Sequence, residues 1–187
     1  MGDPQVDIRR FAAGDSLKQL TALLNDAYRI HLQRGLRYVA TWQDETLTST
    51  RMAGAECWIA MDGDRIVGTI TLRPPARAGG HPFLDRPDVA VFNQLAVAPA
   101  YQGSGLGHRL MACAETRARE LGAAEIACET AQSEVGLIDW YKRQGYRVVG
   151  TANRETTNYV SYVLSKRLAP EKATPASRRP RRAPPSR

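Results

Sequence analysis

The sequence predicts a single α/β (α+β) domain built on a mixed, mostly antiparallel sheet of about six or seven strands, with helices on both faces. Three observations support this prediction. Short apolar runs alternate with amphipathic segments in the order β-α-α-β-β-β-α-β-α-β-β. The 187 residues suffice for one sizeable core, and no internal repeat divides them. Hydrophobic residues make up 43% of the chain and charged residues 24%, as is usual in globular proteins.

The individual elements are predicted from periodicity, capping residues and turn signals. In chain order they are strand 6–11, helix 16–34, helix 44–52, strands 56–61, 65–72 and 89–97, helix 106–121, strand 124–129, helix 134–144, and strands 146–150 and 159–168. Ser16 and Gln19 have the spacing of a capping box at the first helix. Asp62-Gly63-Asp64 is a hairpin signal, and Ser133 is the predicted N-cap of the last helix.

Two irregular segments are candidates for function, because loops carry binding residues more often than cores do. The stretch 31–41 contains Arg34, Arg37 and Tyr38 and is a candidate wall of a substrate site. The loop 73–88 is rich in proline and glycine. A loop of this length inside a compact domain is either functional or disordered, and we expect a mobile flap beside the substrate site.

The basic charge of the chain is concentrated at its end. The segment 169–187 has six Lys or Arg residues, one Glu and no apolar periodicity, and it carries most of the formal net charge of +7. This composition predicts a disordered tail after a domain at 1–168. The tail is either a solvated extension or a contact for nucleic acid or a membrane surface. Because the domain itself is nearly neutral, nucleic acid is not the expected partner.

Cysteine usage and hydropathy indicate the compartment. Cys57, Cys113 and Cys128 lie far apart without a C-x-x-C motif, so neither a disulfide framework nor a zinc site is predicted and each is expected in the core. Reduced thiols agree with a cytoplasmic protein. The first residues lack the apolar run of a signal peptide, and no apolar run is long enough to span a bilayer, so no membrane partner is expected.

The glycine-rich segment 102–108 is the strongest functional signal. Gly103, Gly105 and Gly107 remove side chains where backbone N–H groups can surround a ligand, and the following helix adds free N–H donors. That combination binds phosphate or pyrophosphate. A P-loop is excluded because no Lys-Ser/Thr pair follows the last glycine. A dinucleotide fingerprint is excluded because His108 stands where its third glycine belongs.

Two motifs resemble those of the GNAT superfamily of acyl-CoA-dependent N-acyltransferases. The spacing Gln-x-x-Gly-x-Gly at 102–107, with Leu-Ala-Val at 95–97 and Pro99 before it, is similar to motif A of that family. The helix ending Tyr-x-x-x-Gly-Tyr at 141–146 is similar to its second motif and follows at the required separation. Together the two matches cover roughly residues 89–150.

The resemblance implies acetyl-CoA as acyl donor, no metal, and a primary amine of a small molecule or peptide as acceptor. The residues it implies for cofactor binding are Leu95, Ala96, Val97, Gln102, Gly103, Ser104, Gly105, Leu106, Gly107 and His108. It places the pyrophosphate on the glycine loop and the pantetheine arm along a strand that splays from its neighbour. Val97 N–H is the candidate oxyanion donor. Tyr141 is the implied catalytic proton donor to the thiolate, because a phenol with a pKa of about 10 is protonated at neutral pH.

The sequence does not mark a general base at the position usual in the family, and a substrate amine that arrives deprotonated would make a base unnecessary. Many family members have a glutamate in the strand before the glycine loop, whereas residues 91–94 are Val-Phe-Asn-Gln. Glu134 stands where the family commonly has asparagine. Glu129 is the candidate catalytic base, directly or through water, or an ordinary charge at a strand end. Asp88 and Glu56 are weaker candidates.

The leading hypothesis is therefore an acetyl-CoA-dependent N-acetyltransferase. The alternative is a non-catalytic acyl-CoA-binding sensor or interaction module, because the strand carboxylate is missing. His31 and His81 are candidate contacts for the acceptor, whose identity the residues do not mark. The final strands are compatible with a homodimer and equally with simply completing the sheet.

Overall fold

The structure is a computed structural model that describes residues 6–75 and 80–168. The tail predicted at 169–187 lies outside these residues, and so does a part of the loop predicted to act as a flap. No helix in the described ranges is long and apolar enough to cross a membrane. No group of three or more metal-binding side chains occurs within them. The three cysteines are free; two are buried and Cys113 is half-buried.

In the described part of the chain, seven strands form one sheet with two helices on each face, which confirms the predicted fold class and element order. The strands are β1 (Asp7–Arg10), β2 (Glu56–Asp62), β3 (Arg65–Arg73), β4 (Val89–Val97), β5 (Glu125–Ala131), β6 (Arg147–Asn153) and β7 (Val160–Arg167). The helices are α1 (Leu17–Gln33), α2 (Glu45–Met52), α3 (Leu106–Glu120) and α4 (Val135–Arg143). Short 3₁₀ helices span Val39–Thr41 and Pro99–Tyr101.

The strand order in the sheet is β1-β2-β3-β4-β5-β7-β6. All neighbouring strands are antiparallel except β4 and β5, which are parallel. These two strands pair at three positions, from Val89 with Glu125 to Val91 with Ala127. Residues 92–97 and 128–131 extend past the last pair, so the two strands separate there and open a gap in the sheet.

A β-bulge in β4 lies beside this gap. The register between β3 and β4 shifts so that Ile70 faces both Gln94 and Leu95. Gln94 has a positive φ of 53°, which is uncommon for a residue with a side chain. Its buried amide donates to the Thr71 hydroxyl at 3.1 Å and accepts from Gln43 Nε2 at 3.0 Å. These side-chain hydrogen bonds hold the backbone in its bulged conformation.

Each face of the sheet packs against its own helices. On one face, Leu110 of α3 and Phe92 of β4 belong to a core that also contains the inward side of α4. On the other face, Leu20 and Leu24 of α1 pack on Ile59 of β2. Full burial of each such side chain stabilises the fold by about 1.5–3 kcal/mol. The two cores fix both helical layers around the gap.

The capping box predicted for the first helix is partly wrong, and the N-cap predicted for the last helix is wholly wrong. The Ser16 hydroxyl accepts the Gln19 N–H at 3.2 Å, as a capping box requires. The Gln19 side chain, however, accepts from the Ile66 N–H at 3.2 Å and does not return to the cap, because the β2–β3 hairpin packs against it. Helix α4 is not capped by Ser133. Its N-cap is Glu134, whose carboxylate forms an ion pair with the end of α1 and no cap hydrogen bond.

Candidate active site

A cleft of about 1210 Å³ opens at the gap between β4 and β5. The end of β4 and the glycine loop form one wall, β5 and α4 form the opposite wall, and α1 with the end of β3 lies beneath. Tyr141 and Glu129, the two candidate catalytic residues, both line it. The cleft therefore brings together the two motifs that lie far apart in the sequence.

The glycine loop ends at the N-terminus of α3. Gly103 has a φ of 80° and Gly105, the N-cap, a φ of 84°. A Cβ added at either glycine meets no atom within 4 Å, so the backbone conformation and not crowding requires these residues. Arg109 makes the first helical bond, to the Gly105 carbonyl at 3.1 Å. The N–H groups of residues 106–108 precede it and are left for a ligand, together with the positive end of the helix dipole.

Eight of the ten predicted cofactor-binding residues line the cleft: Leu95, Ala96, Val97, Gln102, Gly103, Gly105, Gly107 and His108. The side chains of the other two point elsewhere. The Ser104 hydroxyl donates to the Tyr101 carbonyl at 2.6 Å, and Leu106 is buried in the core beneath α3. Arg109 is held away as well, because its guanidinium donates to the Val6 carbonyl at 2.7 Å.

The edge of β4 that faces the gap carries backbone hydrogen-bonding groups. Ala98 N–H donates to β3 at 2.9 Å. Because the bonds of an antiparallel ladder alternate, the N–H and C=O of Val97 point the other way, into the gap. The Gln102 amide donates to this Val97 carbonyl at 3.1 Å. The Tyr28 hydroxyl donates to the Leu95 carbonyl at 3.1 Å.

Tyr141 belongs to α4 and lies on the wall of the cleft that β5 and α4 form. Its side chain is buried, with its ring centroid 6.1 Å from that of Phe92 and 5.6 Å from that of Tyr146. Burial raises the pKa of the Tyr141 phenol well above its ordinary value of 10.0. Burial also raises the pKa of the neighbouring Cys128 thiol, which lines the same cleft. The phenol therefore keeps its proton at neutral pH.

Glu129 lies in the cleft on the sheet face that carries α1. Arg154 holds its carboxylate through two nitrogens, Nη2 at 2.8 Å and Nε at 3.2 Å from Oε1. The weaker base candidates lie outside the cleft. Asp88 is paired with Arg86, and Glu56 is paired with an arginine of α3. Among the acids proposed from the sequence as a base, Glu129 is the one that the fold brings to the gap.

The other end of the cleft contains side chains that sequence reasoning mostly missed. Tyr28, Tyr38 and Tyr159 form an aromatic cluster in which the ring centroids of Tyr28 and Tyr38 are 5.4 Å apart. Those of Tyr38 and Tyr159 are 4.7 Å apart. Arg51 and Arg73 also line this end. Only Tyr38 belonged to the predicted substrate wall; the others come from separate elements and share no sequence signal.

The remaining residues of the predicted wall, and His81 as an expected acceptor contact, divide into two groups. Arg34 and His31 line the cleft beside buried Glu134. Arg34 Nη1 lies 2.8 Å from the Glu134 carboxylate and forms a hydrogen bond. His31 Nδ1 lies 3.2 Å from the same carboxylate but is not aligned for a hydrogen bond. Arg37 stacks on an exposed tryptophan outside the cleft, and His81 packs against β6 instead.

Comparison with known proteins agrees with this geometry. The acetyltransferase (GNAT) family model matches residues 17–146. S-(2-succino)cysteine N-acetyltransferase from Bacillus subtilis (strain 168) is 30% identical over 139 residues, which are 73% of this chain and 82% of that protein. N-acetyltransferase 8B from Rattus norvegicus is 27% identical over 97 residues, which are 52% of this chain and 41% of that protein. The chain thus spans less than half the length of the rat relative.

A solved acetyltransferase structure shares the fold. A GNAT family acetyltransferase from Elizabethkingia anophelis, solved with acetyl-CoA bound, matches with a TM-score of 0.63 and 16% identity over 89% of this chain and 100% of that chain. The chain belongs to the acetyltransferase (GNAT) family. Membership in this family confirms the family that the two sequence motifs predicted. It also confirms the predicted enzyme class, the acyltransferases.

Proposed function

We propose that this protein is an N-acetyltransferase that transfers the acetyl group of acetyl-CoA directly to a primary amine of a small molecule or peptide. The observation that carries the proposal is the gap between β4 and β5, because it joins the glycine loop, Tyr141 and Glu129 in one cleft. The acetyl-CoA bound to the Elizabethkingia anophelis structure supports this donor. The acceptor in the name of the Bacillus subtilis relative supports a small-molecule amine.

The residues around the loop fit a CoA ester. The backbone N–H groups of residues 106–108 at the N-terminus of α3 suit a pyrophosphate, and the open space around Gly103 and Gly105 leaves room for it. The free edge of β4 at 95–97 suits the amides of the pantetheine arm, which would pair with it as an added strand. An arm in this position directs the thioester into the gap, toward Tyr141.

The reaction needs a group that accepts a proton from the amine, a hydrogen-bond donor to the carbonyl oxygen and a proton donor to the departing sulfur. Glu129 takes the proton of the acceptor amine, directly or through water, so that the nitrogen lone pair can attack the thioester carbon. Val97 N–H donates to the carbonyl oxygen as negative charge develops on it. When the carbon–sulfur bond breaks, Tyr141 donates its phenolic proton to the thiolate. The new amide nitrogen loses its second proton to water, and the Tyr141 phenolate takes a proton back from solvent. We place this activity in the cytoplasm, a location that the free cysteines support.

The test is a measurement of CoA thiol released from acetyl-CoA in the presence of a panel of primary amines. We expect release that depends on the amine and yields equal amounts of thiol and acetylated product. Binding of CoA without thiol release for any amine contradicts the proposal and identifies an acyl-CoA-binding sensor instead.

A further inference from the structure

We propose that the acceptor is a small amino acid, whose carboxylate is bound by Arg51 and Arg73 and whose amine donates a hydrogen bond to Asn93. This inference rests on the proposed acetyltransferase function, because it names the class of acceptor that the same cleft takes. Three observations carry it. Within the described residues, two arginines have no acidic partner. Hydrogen bonds hold their guanidinium groups in place, and one buried oxygen is unpaired.

The first observation concerns charge. Two other arginines that line the cleft are neutralised: Arg34 by Glu134 and Arg154 by Glu129. Within the described residues, neither Arg51 nor Arg73 has a carboxylate within 4.0 Å. Burial lowers the pKa of Arg51, and the positive charge of Arg73 adds to this effect. Two cations side by side in a partly desolvated cleft favour the binding of an anion.

The second observation concerns how the two guanidinium groups are held. Arg73 Nη2 donates to the Arg51 main-chain carbonyl at 2.9 Å, at the end of α2. Arg51 Nη1 donates to the buried Gln43 side chain, which also binds Gln94 in the bulge of β4. Each guanidinium has five N–H donors, so donors remain on both. Planar guanidinium groups fixed in this way suit the two oxygens of a carboxylate.

The third observation is the unpaired oxygen. Asn93 Oδ1 is buried and has no hydrogen-bond partner in the part of the chain that the structure describes, although the residue lines the cleft. In the sheet register Arg73 lies opposite Val91, and Thr71 lies opposite Asn93. Arg73 and Asn93 are therefore diagonal neighbours on one face, about 7–8 Å apart in Cα position. An amine and a carboxylate a few bonds apart in one small molecule fit this spacing.

The amine of such an acceptor has a place near the proposed base. Tyr159, Arg51 and Glu129 all line the cleft. Asn93 belongs to β4, the strand that bounds the gap. With its carboxylate on the arginines, an amino acid would direct its nitrogen toward the thioester. A peptide N-terminus has no carboxylate at this distance and is not expected to bind in the same way.

The experiment compares free L-amino acids with their carboxamides as acceptors, with thiol release as the readout. We expect kcat/KM for the best acid to exceed that of its carboxamide by about 10- to 100-fold, the range for a hydrogen-bonded charge. Arg73→Gln should raise KM for the acid by a similar factor and leave the carboxamide unchanged. Arg51→Lys keeps a charge and should lose less than Arg51→Gln. Arg65→Gln, at the exposed first residue of β3, is the matched control.

Each outcome decides the question. Equal use of acids and carboxamides by the wild type, or equal effects of Arg73→Gln on both, overturns the inference and leaves the acetyltransferase proposal standing. Acetylation confined to amines without a carboxylate also overturns it. Absence of thiol release with every amine, in protein that still binds CoA, contradicts the proposed function itself. CoA affinity measured for each variant separates a loss of acceptor binding from a loss of folding.

Discussion

The two halves of the cleft differ in the groups that line them: main-chain groups in one half and side chains in the other. The donor half consists of main-chain groups: the free edge of β4 at 95–97 and the N–H groups of the loop at 102–108. The acceptor half consists of side chains from separate elements, among them Tyr28, Arg51 and Tyr159. Main-chain groups suit a ligand whose phosphates and amides do not vary. Side chains can be replaced without disturbing the fold, so we expect the acceptor half to determine which amine is used.

The largest expected effect is at the point where the halves meet. We expect Tyr141→Phe to lower kcat by about 100- to 10,000-fold, the usual contribution of a positioned proton donor, with little change in KM for acetyl-CoA. Steady-state kinetics measures both quantities. Tyr162→Phe removes a hydroxyl from a tyrosine that packs on the same core without lining the cleft, and it should keep the wild-type rate. Full turnover by Tyr141→Phe contradicts the assigned role.

A smaller effect is expected for the base in the acceptor half. Glu129→Gln should lower kcat/KM by about 10- to 100-fold at neutral pH, because the acceptor amine then has to lose its proton to solvent. The loss should shrink as the pH approaches the pKa of the amine. Asp139→Asn, a half-buried carboxylate on α4 that does not line the cleft, serves as control. A loss that is the same at every pH indicates that Glu129 only positions Arg154.

A test of the donor half alone uses the backbone of the glycine loop. Gly105→Val places a side chain at a φ of 84°, which costs about 1–2 kcal/mol although the Cβ itself has room. We expect the dissociation constant of CoA, measured by calorimetry, to rise by about tenfold. Gly14→Val has equal room and no positive φ, and it should bind CoA normally. Unchanged affinity in Gly105→Val contradicts binding at this loop.

The smallest effect is expected for the residue that connects the halves. Gln43 is 2% exposed and bonds to Thr48, to Arg51 and to Gln94 in the bulge. Gln43→Met leaves buried polar groups unpaired, so the free energy of unfolding should fall by about 1–3 kcal/mol. We expect KM for the acceptor to rise a few-fold as well. Denaturant unfolding checks the first effect, with the exposed Gln33→Met as control, and an unchanged stability rules out this linking role.

The same contrast between local and distant groups explains what could be predicted from the sequence. The strand, the glycine loop and the helix at 89–121 are consecutive, so their motif carried both the fold and the donor site. Arg51 and Tyr159 line the same cleft although they lie far apart in the sequence, and no local pattern predicts that they share a site. Ser133 was a reasonable cap by local rules. It lost that place because Glu134 pairs with an arginine of α1.

The most direct test is hydrogen–deuterium exchange measured with and without saturating acetyl-CoA. The account predicts that the main-chain amides of Leu95 and Val97 and of residues 106–108 become protected, because these N–H groups, on the gap side of β4 and at the start of α3, donate hydrogen bonds to the ligand. The amides of β1 and β2, on the far side of the sheet, should exchange at the same rate in both samples. Protection confined to other parts of the chain, or no change at a saturating concentration, would contradict the binding of acetyl-CoA at the gap between β4 and β5.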